Sequence, residues 1–389
     1  MELDTLRVRL GDRAESVIGQ AFDSTGLSAP ELAPEEAAEG RGMETSRWYR
    51  IPVAGGMTAD GSAYHIYARK GTSDSLCILL SGGGIAWNRY TASHPVTGGR
   101  VLAWAPNYYW SNLRPFTEVF NIGVGITENA PGRNPFDDWN FVVITYATGD
   151  MHLGRSEFRY RDEDGAPQVL HFHGYGNFLQ AMEIGRTLFP APGRLLIAGE
   201  SAGAFAVPAL AETVCDVFYP ECRDVTLFSD SAQLKYGGWH RIAEEVWNIP
   251  LRQLSDLQSD EMTVDWYRGL YARSGGKYRC LYASSVRDYL LSAFYNDLQN
   301  KEYMTGEYMQ RAFQAELERM VGELKQLSPS FGIYLYDRHR PFLYKGGTIH
   351  TMLRQPEFYL RGRSGPSMAE WLRDAVDGRV RDEGLQLLQ

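Results

Sequence analysis

The sequence predicts an α/β fold in which a doubly wound, mostly parallel sheet carries helices on both faces. Short runs of Val, Ile and Leu lack the in-and-out alternation of half-exposed strands, as expected for parallel strands covered on both sides. Helix-like segments separate these runs, so strands and helices alternate along the chain. A chain of 389 residues with 44% hydrophobic residues can also bury a full core.

The elements follow one another in a regular order. Four apolar runs, “SLCILL”, “WNFVVITY”, “GRLLIAG” and “DVTLFSD”, predict buried strands, and “HGYGNFLQAMEIGRTLF” and “SAGAFAVPALAETV” predict helices. Next, “KYRCLYASSVR” predicts a strand and “YLLSAFY” a helix. Apolar residues at steps of three and four from Met309 to Leu327 predict a long helix with one core-facing stripe. Finally, “FGIYLYD” predicts a strand, and “LYKGGTIH” predicts a last strand that ends in a loop.

Composition limits the classes of partner. The net charge of −9 is spread along the sequence without a basic cluster, so a nucleic-acid backbone or an anionic membrane surface would repel the protein. No apolar run approaches the roughly 20 residues of a membrane span. We therefore expect a small-molecule partner and neither nucleic acid nor membrane; the sequence does not predict the oligomeric state.

Two features favour a cytoplasmic, reduced protein. The first 20 residues interleave charges and contain no apolar core of a secretory signal. The four cysteines are too few and too scattered for a disulfide framework, and they form no zinc-like CxxC: Cys77, Cys215, Cys222 and Cys280.

The pentapeptide “GESAG”, Gly199 to Gly203, lies between a predicted strand and a predicted helix. The Gly-x-Ser-x-Gly pattern alone is weak in a glycine-rich chain. A nucleophile elbow needs this order of strand, tight turn and helix, with glycines two before and two after the serine because a Cβ there would clash. The context therefore favours Ser201 as a nucleophile over a plain glycine turn.

A nucleophilic serine needs a base, and the base needs an acid that orients it. In proteins with this elbow the order along the chain is Ser, acid, His. His350 is the better base because it follows a predicted strand that ends in glycines, whereas His339 lies in a charged, turn-like segment. Three acidic residues end or follow strand-like runs, and the pattern alone does not rank them: Asp230, Asp288 and Asp337.

A glycine-rich loop, Ser81 to Trp87, follows the first of the four apolar runs. Proteins with such an elbow place backbone N–H groups in this loop to bind an oxyanion. We expect the donors to be the amides of Gly83, Gly84 and Ala202. A phosphate-binding loop is disfavoured because no GxxxxGK[ST] lysine follows.

Aromatic residues are concentrated between Arg100 and Phe116: Trp104, Tyr108, Tyr109, Trp110 and Phe116. They predict either an aromatic wall or lid over a pocket or a packed cluster under a long loop. His171 and His173 could share one strand face as metal ligands, but no third ligand is near in sequence. A structural role is favoured for this pair, and we expect no metal and no other cofactor.

Seven motifs occur in the order of corresponding motifs in the pectin acetylesterase family, which also includes the Notum carboxylesterases. They are “LLSGGGIAWN”, “NPFDDWNFVVITYATGDMHLG”, “FHGYGNFLQAME”, “AGESAGAFA”, “LFSDSA”, “SSVRDYLLSAFY” and “GGTIH”. The resemblance covers roughly residues 48–355, and an ordered set of seven motifs is far more specific than any one of them. The chain is thus similar to this family over most of its length.

The resemblance implies an α/β-hydrolase fold and a metal-independent serine esterase that removes short acyl groups from oxygen. Matched position by position, the nucleophile is Ser201, the acid is Asp288 and the base is His350. Asp150 and Asp230 match other family positions, which implies a role in shaping the pocket. The predicted pocket residues are therefore Trp87, Tyr109, Trp110, Asp150 and Asp230.

We expect residues 1–42 to form a partly flexible N-terminal extension and residues 43–389 a single α/β-hydrolase catalytic domain. The stretch from Asp23 to Arg41 is rich in Ala, Glu, Pro and Gly, which is typical of a solvated arm. The expected partner is a small-molecule ester. Two alternatives use the same residues. One is an acyltransferase or acyl-elimination enzyme of natural-product metabolism, and the other is a substrate-binding protein whose Ser–His–Asp triad is catalytically silent, so that it binds without turnover.

Overall fold

The computed structural model describes residues 29–102, 105–113, 118–162, 164–339, 346–362 and 365–389. In this part of the chain, eight strands form one sheet: β1 (Trp48–Met57), β2 (Ala63–Arg69), β3 (Ser75–Leu80), β4 (Asn140–Ile144), β7 (Arg194–Glu200), β8 (Asp224–Asp230), β9 (Arg279–Ser285) and β10 (Gly332–Tyr336). Two further strands, β5 (Ser156–Arg161) and β6 (Pro167–Phe172), pair with each other as a separate antiparallel hairpin.

The strand order across the large sheet is β1-β2-β4-β3-β7-β8-β9-β10. Only the pairs of β2 with its two neighbours are antiparallel, and every other pair is parallel. The prediction of a mostly parallel α/β sheet is therefore confirmed. Because parallel strands point the same way, the loops that follow β3, β7, β8 and β9 meet at one edge of the sheet.

The helices lie between and around these strands. Their bounds are α1 (Pro34–Ala38), α2 (Arg89–Ala92), α3 (Gly98–Leu102), α4 (Glu118–Asn121), α5 (Gly174–Leu188), α6 (Ala202–Thr213), α7 (Trp239–Arg241), α8 (Leu251–Asp256), α9 (Met262–Ser274), α10 (Tyr289–Asn300), α11 (Glu307–Leu327) and α12 (Met368–Val376). Short 3₁₀ helices span Gly125–Thr127, Pro356–Tyr359 and Leu385–Leu388, and π-helical turns span Val214–Phe218 and Ile242–Val246.

Successive residues of each central strand pack on opposite faces of the sheet. In β3, Ile78 and Leu80 belong to a core that also contains residues of α5, α6, α9, α10 and α11, whereas Cys77 and Leu79 belong to a second core with α12. All six residues of β3 are buried, which is why the sequence of this strand has no polar alternation.

The N-terminal stretch is solvated only in part. Residues 23–28 lie outside the described residues, and in residues 29–41 the exposed side chains alternate with a few that pack on the folded body. The amide of Leu32 donates to the carbonyl of Arg50 at 2.9 Å, and both Leu32 and Ala37 are buried. The sequence did not predict the burial of these two apolar residues, because the average composition of the stretch is polar.

The predicted last strand falls on residues 340–345, which lie outside the described residues. Gly346 to His350 form a loop, as predicted for the part that follows this strand. Its Thr348 forms an isolated bridge with Asp288, the residue that follows the turn after β9. This bridge brings the chain around His350 beside α10.

All four cysteines are buried and unpaired. Within the described ranges, no helix is both long enough and apolar enough to cross a membrane.

Candidate active site

Ser201 occupies a strained turn between β7 and α6. Its φ is 51° and its ψ is −126°, in the region of positive φ that side chains rarely adopt. The flanking glycines allow the turn to close. A Cβ on Gly199 would lie 2.4 Å from the carbonyl oxygen of Gly203, and a Cβ on Gly203 would lie 2.0 Å from that of Leu80.

A chain of hydrogen bonds joins Ser201, His350 and Asp288. His350 Nδ1 lies 2.7 Å from Asp288 Oδ2, and His350 Nε2 lies 2.8 Å from Ser201 Oγ. Because an ionised carboxylate only accepts hydrogen bonds, Nδ1 carries the proton, and in the neutral ring Nε2 accepts from the serine hydroxyl. The structure thus brings together the three residues that were assigned to the nucleophile, the base and the acid.

Asp288 is fixed by the start of α10. Its Oδ1 accepts the amides of Leu290 and Leu291, both at 2.9 Å, so the residue caps the helix with one oxygen and holds the histidine with the other. Backbone hydrogen bonds between Thr348 and residues 287 and 289 hold the loop of His350 at this helix end.

The environment of His350 favours its charged form. Burial alone would lower its pKa, but the charge and hydrogen bond of Asp288, with further charges on Glu200 and Asp230, raise it above the usual value. The imidazole is 12% exposed. A histidine of this kind can take up a proton from a neighbouring hydroxyl and keep it stabilised.

The glycine loop after β3 packs directly against Ser201. A Cβ on Gly82 would lie 2.7 Å from Ser201 Cβ, so only glycine permits this approach. Among the described residues, none accepts a hydrogen bond from the amides of Gly83, Gly84 or Ala202. These are the three amides that we expected to bind an oxyanion, and they remain available to a ligand.

A cavity of about 320 Å³ opens over Ser201. Its wall combines the glycine loop and His350 with apolar and polar side chains. The lining residues are Gly82, Gly83, Gly84, Val96, Asn107, Tyr108, Trp110, Glu200, Ser201, Tyr289, Leu290, Phe294, His350, Thr351, Arg354 and Gln355.

Of the five predicted pocket residues, only Trp110 lines this cavity. Trp87 lies behind the wall, where its ring packs edge-on against Tyr108 at 5.2 Å and beside Phe294 at 5.8 Å. Tyr109 is buried and donates its hydroxyl to the carbonyl of Ala92 at 2.9 Å. Trp87 and Tyr109 therefore support the wall from behind, and neither touches the cavity.

Asp230 is also placed differently from the prediction. It is fully buried, and its Oδ2 accepts the amides of Met352 and Leu353 at 2.7 and 2.8 Å. Its Oδ1 accepts the hydroxyl of Tyr336 at 2.8 Å. Asp230 is thus an anchor for the loop that carries His350. Burial raises its pKa to about 6, although these hydrogen bonds oppose the shift.

Asp150 anchors a different segment. Its oxygens accept the hydroxyl of Thr148 at 2.6 Å and the amide of Gly174, at the start of α5, at 2.8 Å. Its carboxyl is fully buried, which raises its pKa to about 6 against these hydrogen bonds. Like Asp230, it does not line the cavity.

The remaining candidates lie elsewhere. Asp337 and His339 are exposed, and His339 Nδ1 lies 3.0 Å from the carbonyl oxygen of Gly347. His171 faces Glu157 across the β5–β6 hairpin, and His173 precedes α5. Within the described ranges, no group of three His, Cys, Asp or Glu side chains is arranged to hold a metal ion.

The predicted aromatic segment contributes Tyr108 and Trp110 to the cavity wall, whereas its Trp104 and Phe116 lie outside the described residues. Phe294, Glu200 and Arg354 also line the cavity and were not predicted. The rings of Phe294 and Tyr108 lie 5.6 Å apart and form an apolar wall. Glu200 and Arg354 form an ion pair in the cavity wall. Phe294 could have been found from its place on the helix after Asp288, but no local signal pairs Glu200 with Arg354.

Comparison of the chain with protein-family models and with curated proteins finds no match.

Proposed function

We propose that this protein is a serine carboxylic ester hydrolase that removes a short acyl group from an oxygen ester. One observation carries the proposal. Ser201 Oγ, His350 Nε2 and Nδ1, and Asp288 Oδ2 form a continuous hydrogen-bonded chain at 2.8 and 2.7 Å, and Ser201 and His350 line a cavity. This is the geometry by which a histidine activates a serine and an acid orients the histidine.

Three features of the chain support an α/β-hydrolase fold. The nucleophile candidate lies in a tight turn from β7 into α6, at a positive φ. A glycine loop with free amides follows β3 and reaches this turn. The residues occur in the chain order Ser, Asp, His, which is the order of that fold.

In the proposed reaction, the first stage is acylation of Ser201. As Ser201 Oγ attacks the ester carbonyl carbon, its proton moves to His350 Nε2, and the Asp288 carboxylate stabilises the imidazolium. The carbonyl oxygen gains negative charge and binds the amides of Gly83, Gly84 and Ala202. The proton on Nε2 then passes to the leaving alkoxide, which departs as an alcohol and leaves the acyl group on Ser201.

Deacylation reverses the roles of the same groups. A water molecule gives one proton to His350 Nε2 while its oxygen attacks the acyl carbon. When the second tetrahedral intermediate collapses, the proton returns to Ser201 Oγ and the carboxylic acid is released. The volume of about 320 Å³ is at the lower end of small-ligand cavities, which supports a small substrate.

The test is the intact mass of the protein after reaction with a fluorophosphonate. We expect one adduct on the wild type and none on Ser201→Ala. His350→Ala should react far more slowly because its serine has no base. Ser255→Ala removes an exposed hydroxyl on α8 and serves as the matched control, with a wild-type adduct. An unlabelled but folded wild type would refute the activated serine and favour a binding protein.

A second measurement tests the reaction itself. We expect p-nitrophenyl acetate to be hydrolysed faster than esters with longer acyl chains, because the cavity is small. The products are then analysed with and without added alcohols. Free carboxylic acid as the main product in the presence of alcohols would support hydrolysis, and a transferred acyl group would identify an acyltransferase.

A further inference from the structure

A buried ion pair connects the segments that form the candidate active site. The Arg354 guanidinium donates through Nη2 to Glu200 Oε1, and the side chains are only 5% and 11% exposed. Glu200 directly precedes Ser201, and Arg354 lies four residues after His350. The same Glu200 oxygen accepts the amide of Gly82 at 3.3 Å, so the pair also contacts the glycine loop.

Arg354 is also held by contacts of its second terminal nitrogen, Nη1. Its Nη1 donates to Asn121 Oδ1 at 3.0 Å and to Ser81 Oγ at 3.2 Å. The arginine is therefore fixed between α4, the end of β3 and the end of β7. Both members of the pair line the cavity with Ser201 and His350, so their charges lie beside the reacting groups.

We propose that the Glu200–Arg354 pair positions the loop of His350 and sets the basicity of this histidine. The inference rests on the proposed function and adds two positioning residues to it. Neither residue hydrogen-bonds to Ser201 or His350, so the pair would act through charge and through the placement of the loop.

The charges around His350 support this assignment. Three carboxylates face it, from the ends of β7 and β8 and from the start of α10: Glu200, Asp230 and Asp288. Asp288 holds the ring directly, and Asp230 holds the following loop. Arg354 is the cation that pairs with one of these carboxylates, Glu200. Without it, the full negative charge of Glu200 would act on the imidazole.

Two single variants should therefore move the basicity of His350 in opposite directions. Glu200→Gln removes the carboxylate, leaves Arg354 unneutralised, and keeps an oxygen that can accept from Gly82. It should lower the pKa of His350. Arg354→Met leaves the carboxylate unneutralised and should raise that pKa. The double variant removes both charges and should lie between the two.

The readout is the rate of fluorophosphonate labelling against pH, because only neutral His350 can act as the base. The acidic limb of this profile should lie at the lowest pH in Glu200→Gln and at the highest in Arg354→Met, with a separation of about one pKa unit. The control is Glu212→Gln at the far end of α6. Glu212 is equally buried and paired with Arg252 and Arg273, and its limb should coincide with that of the wild type.

The outcomes separate the two proposals. If the acidic limb lies at the same pH in all variants and only the labelling rate falls, the pair is a structural support and this inference is wrong. The proposed function would still hold, because Ser201 is labelled. A wild type that is not labelled at any pH would overturn both. If Arg354→Met does not fold, the near-isosteric Glu200→Gln decides alone: its limb moves to lower pH or the inference is wrong.

Discussion

Asp230 provides a sharp test of how the loop of His350 is held. The variant Asp230→Ala removes the acceptor of four buried donors, the amides of Met352 and Leu353 and the hydroxyls of Tyr336 and Ser231. A buried donor without a partner costs about 1–3 kcal/mol. With some relaxation, we expect the free energy of unfolding to fall by about 3–5 kcal/mol. Asp230→Asn keeps one oxygen for the two amides and should lose only about 1–2 kcal/mol.

The assays are urea unfolding and the rate of fluorophosphonate labelling of the folded protein. In Asp230→Ala the displaced loop should slow labelling about 100-fold, since a misplacement of about 1 Å has an effect of this size. Asp265→Ala is a matched control, because buried Asp265 also accepts two loop amides, from Gln258 at 2.7 Å and Ser259 at 2.6 Å. It should lower stability without slowing the labelling of Ser201.

One result would contradict the interpretation of Asp230 as an anchor. If Asp230→Ala kept the stability and labelling rate of the wild type but changed the preference among esters, Asp230 would be a pocket residue. That was the prediction from sequence, and our interpretation of its contacts as an anchor would be wrong.

Asp288, Gly203 and Asp150 each give a further prediction. Asp288→Asn should lower kcat about 10⁴-fold with unchanged circular dichroism, because Asn can hold the wrong tautomer of His350; a loss below tenfold would contradict this role. Gly203→Ala should destabilise the protein by at least about 1–3 kcal/mol in urea, whereas Gly322→Ala in α11, where a Cβ meets nothing within 4 Å, should stabilise it by up to about 1 kcal/mol. The raised pKa of Asp150, about 6, means that the folded state holds this proton more tightly than the unfolded state. The resulting stability is complete below pH 4 and lost as pH rises to 6, so Asp150→Asn should remove about 3 kcal/mol of that pH dependence in urea titrations; an unchanged slope would contradict it.

The parts of the fold that could be predicted are those with a local signal. The six parallel strands are continuous apolar runs, and the turn at Ser201 needs glycine at two fixed positions. The hairpin β5–β6 was not predicted because its signal differs from that of the buried strands. In “SEFRYR”, partly buried residues alternate with exposed charged ones, which is the pattern of a half-exposed strand and not a continuous apolar run. Strand β1 was missed as well, since Pro52 and two glycines interrupt its pattern.

In the candidate site, too, contacts that depend on the folded chain could not be predicted from the sequence. Glu200 and Asp230 are opposite each other at the ends of neighbouring strands, and nothing in the sequence tells which way each side chain turns. Their direction depends on the register and twist of the sheet. Similarly, Arg354 lies 154 positions from Glu200, and only the folded chain brings the two charges together. The local pattern predicted Ser201 and His350 and the family resemblance predicted Asp288, but neither predicted the pair of Glu200 and Arg354.

The four buried cysteines provide a built-in measure of local opening. Burial raises the pKa of each thiol, to about 12 for Cys215 and Cys280, so a thiol reagent meets almost no thiolate while the protein is closed. Cys77 lies in β3 on one face of the sheet, Cys280 lies in β9 on the other, and Cys215 and Cys222 lie beyond α6. The order in which the four react with such a reagent would therefore give the order in which these regions come apart.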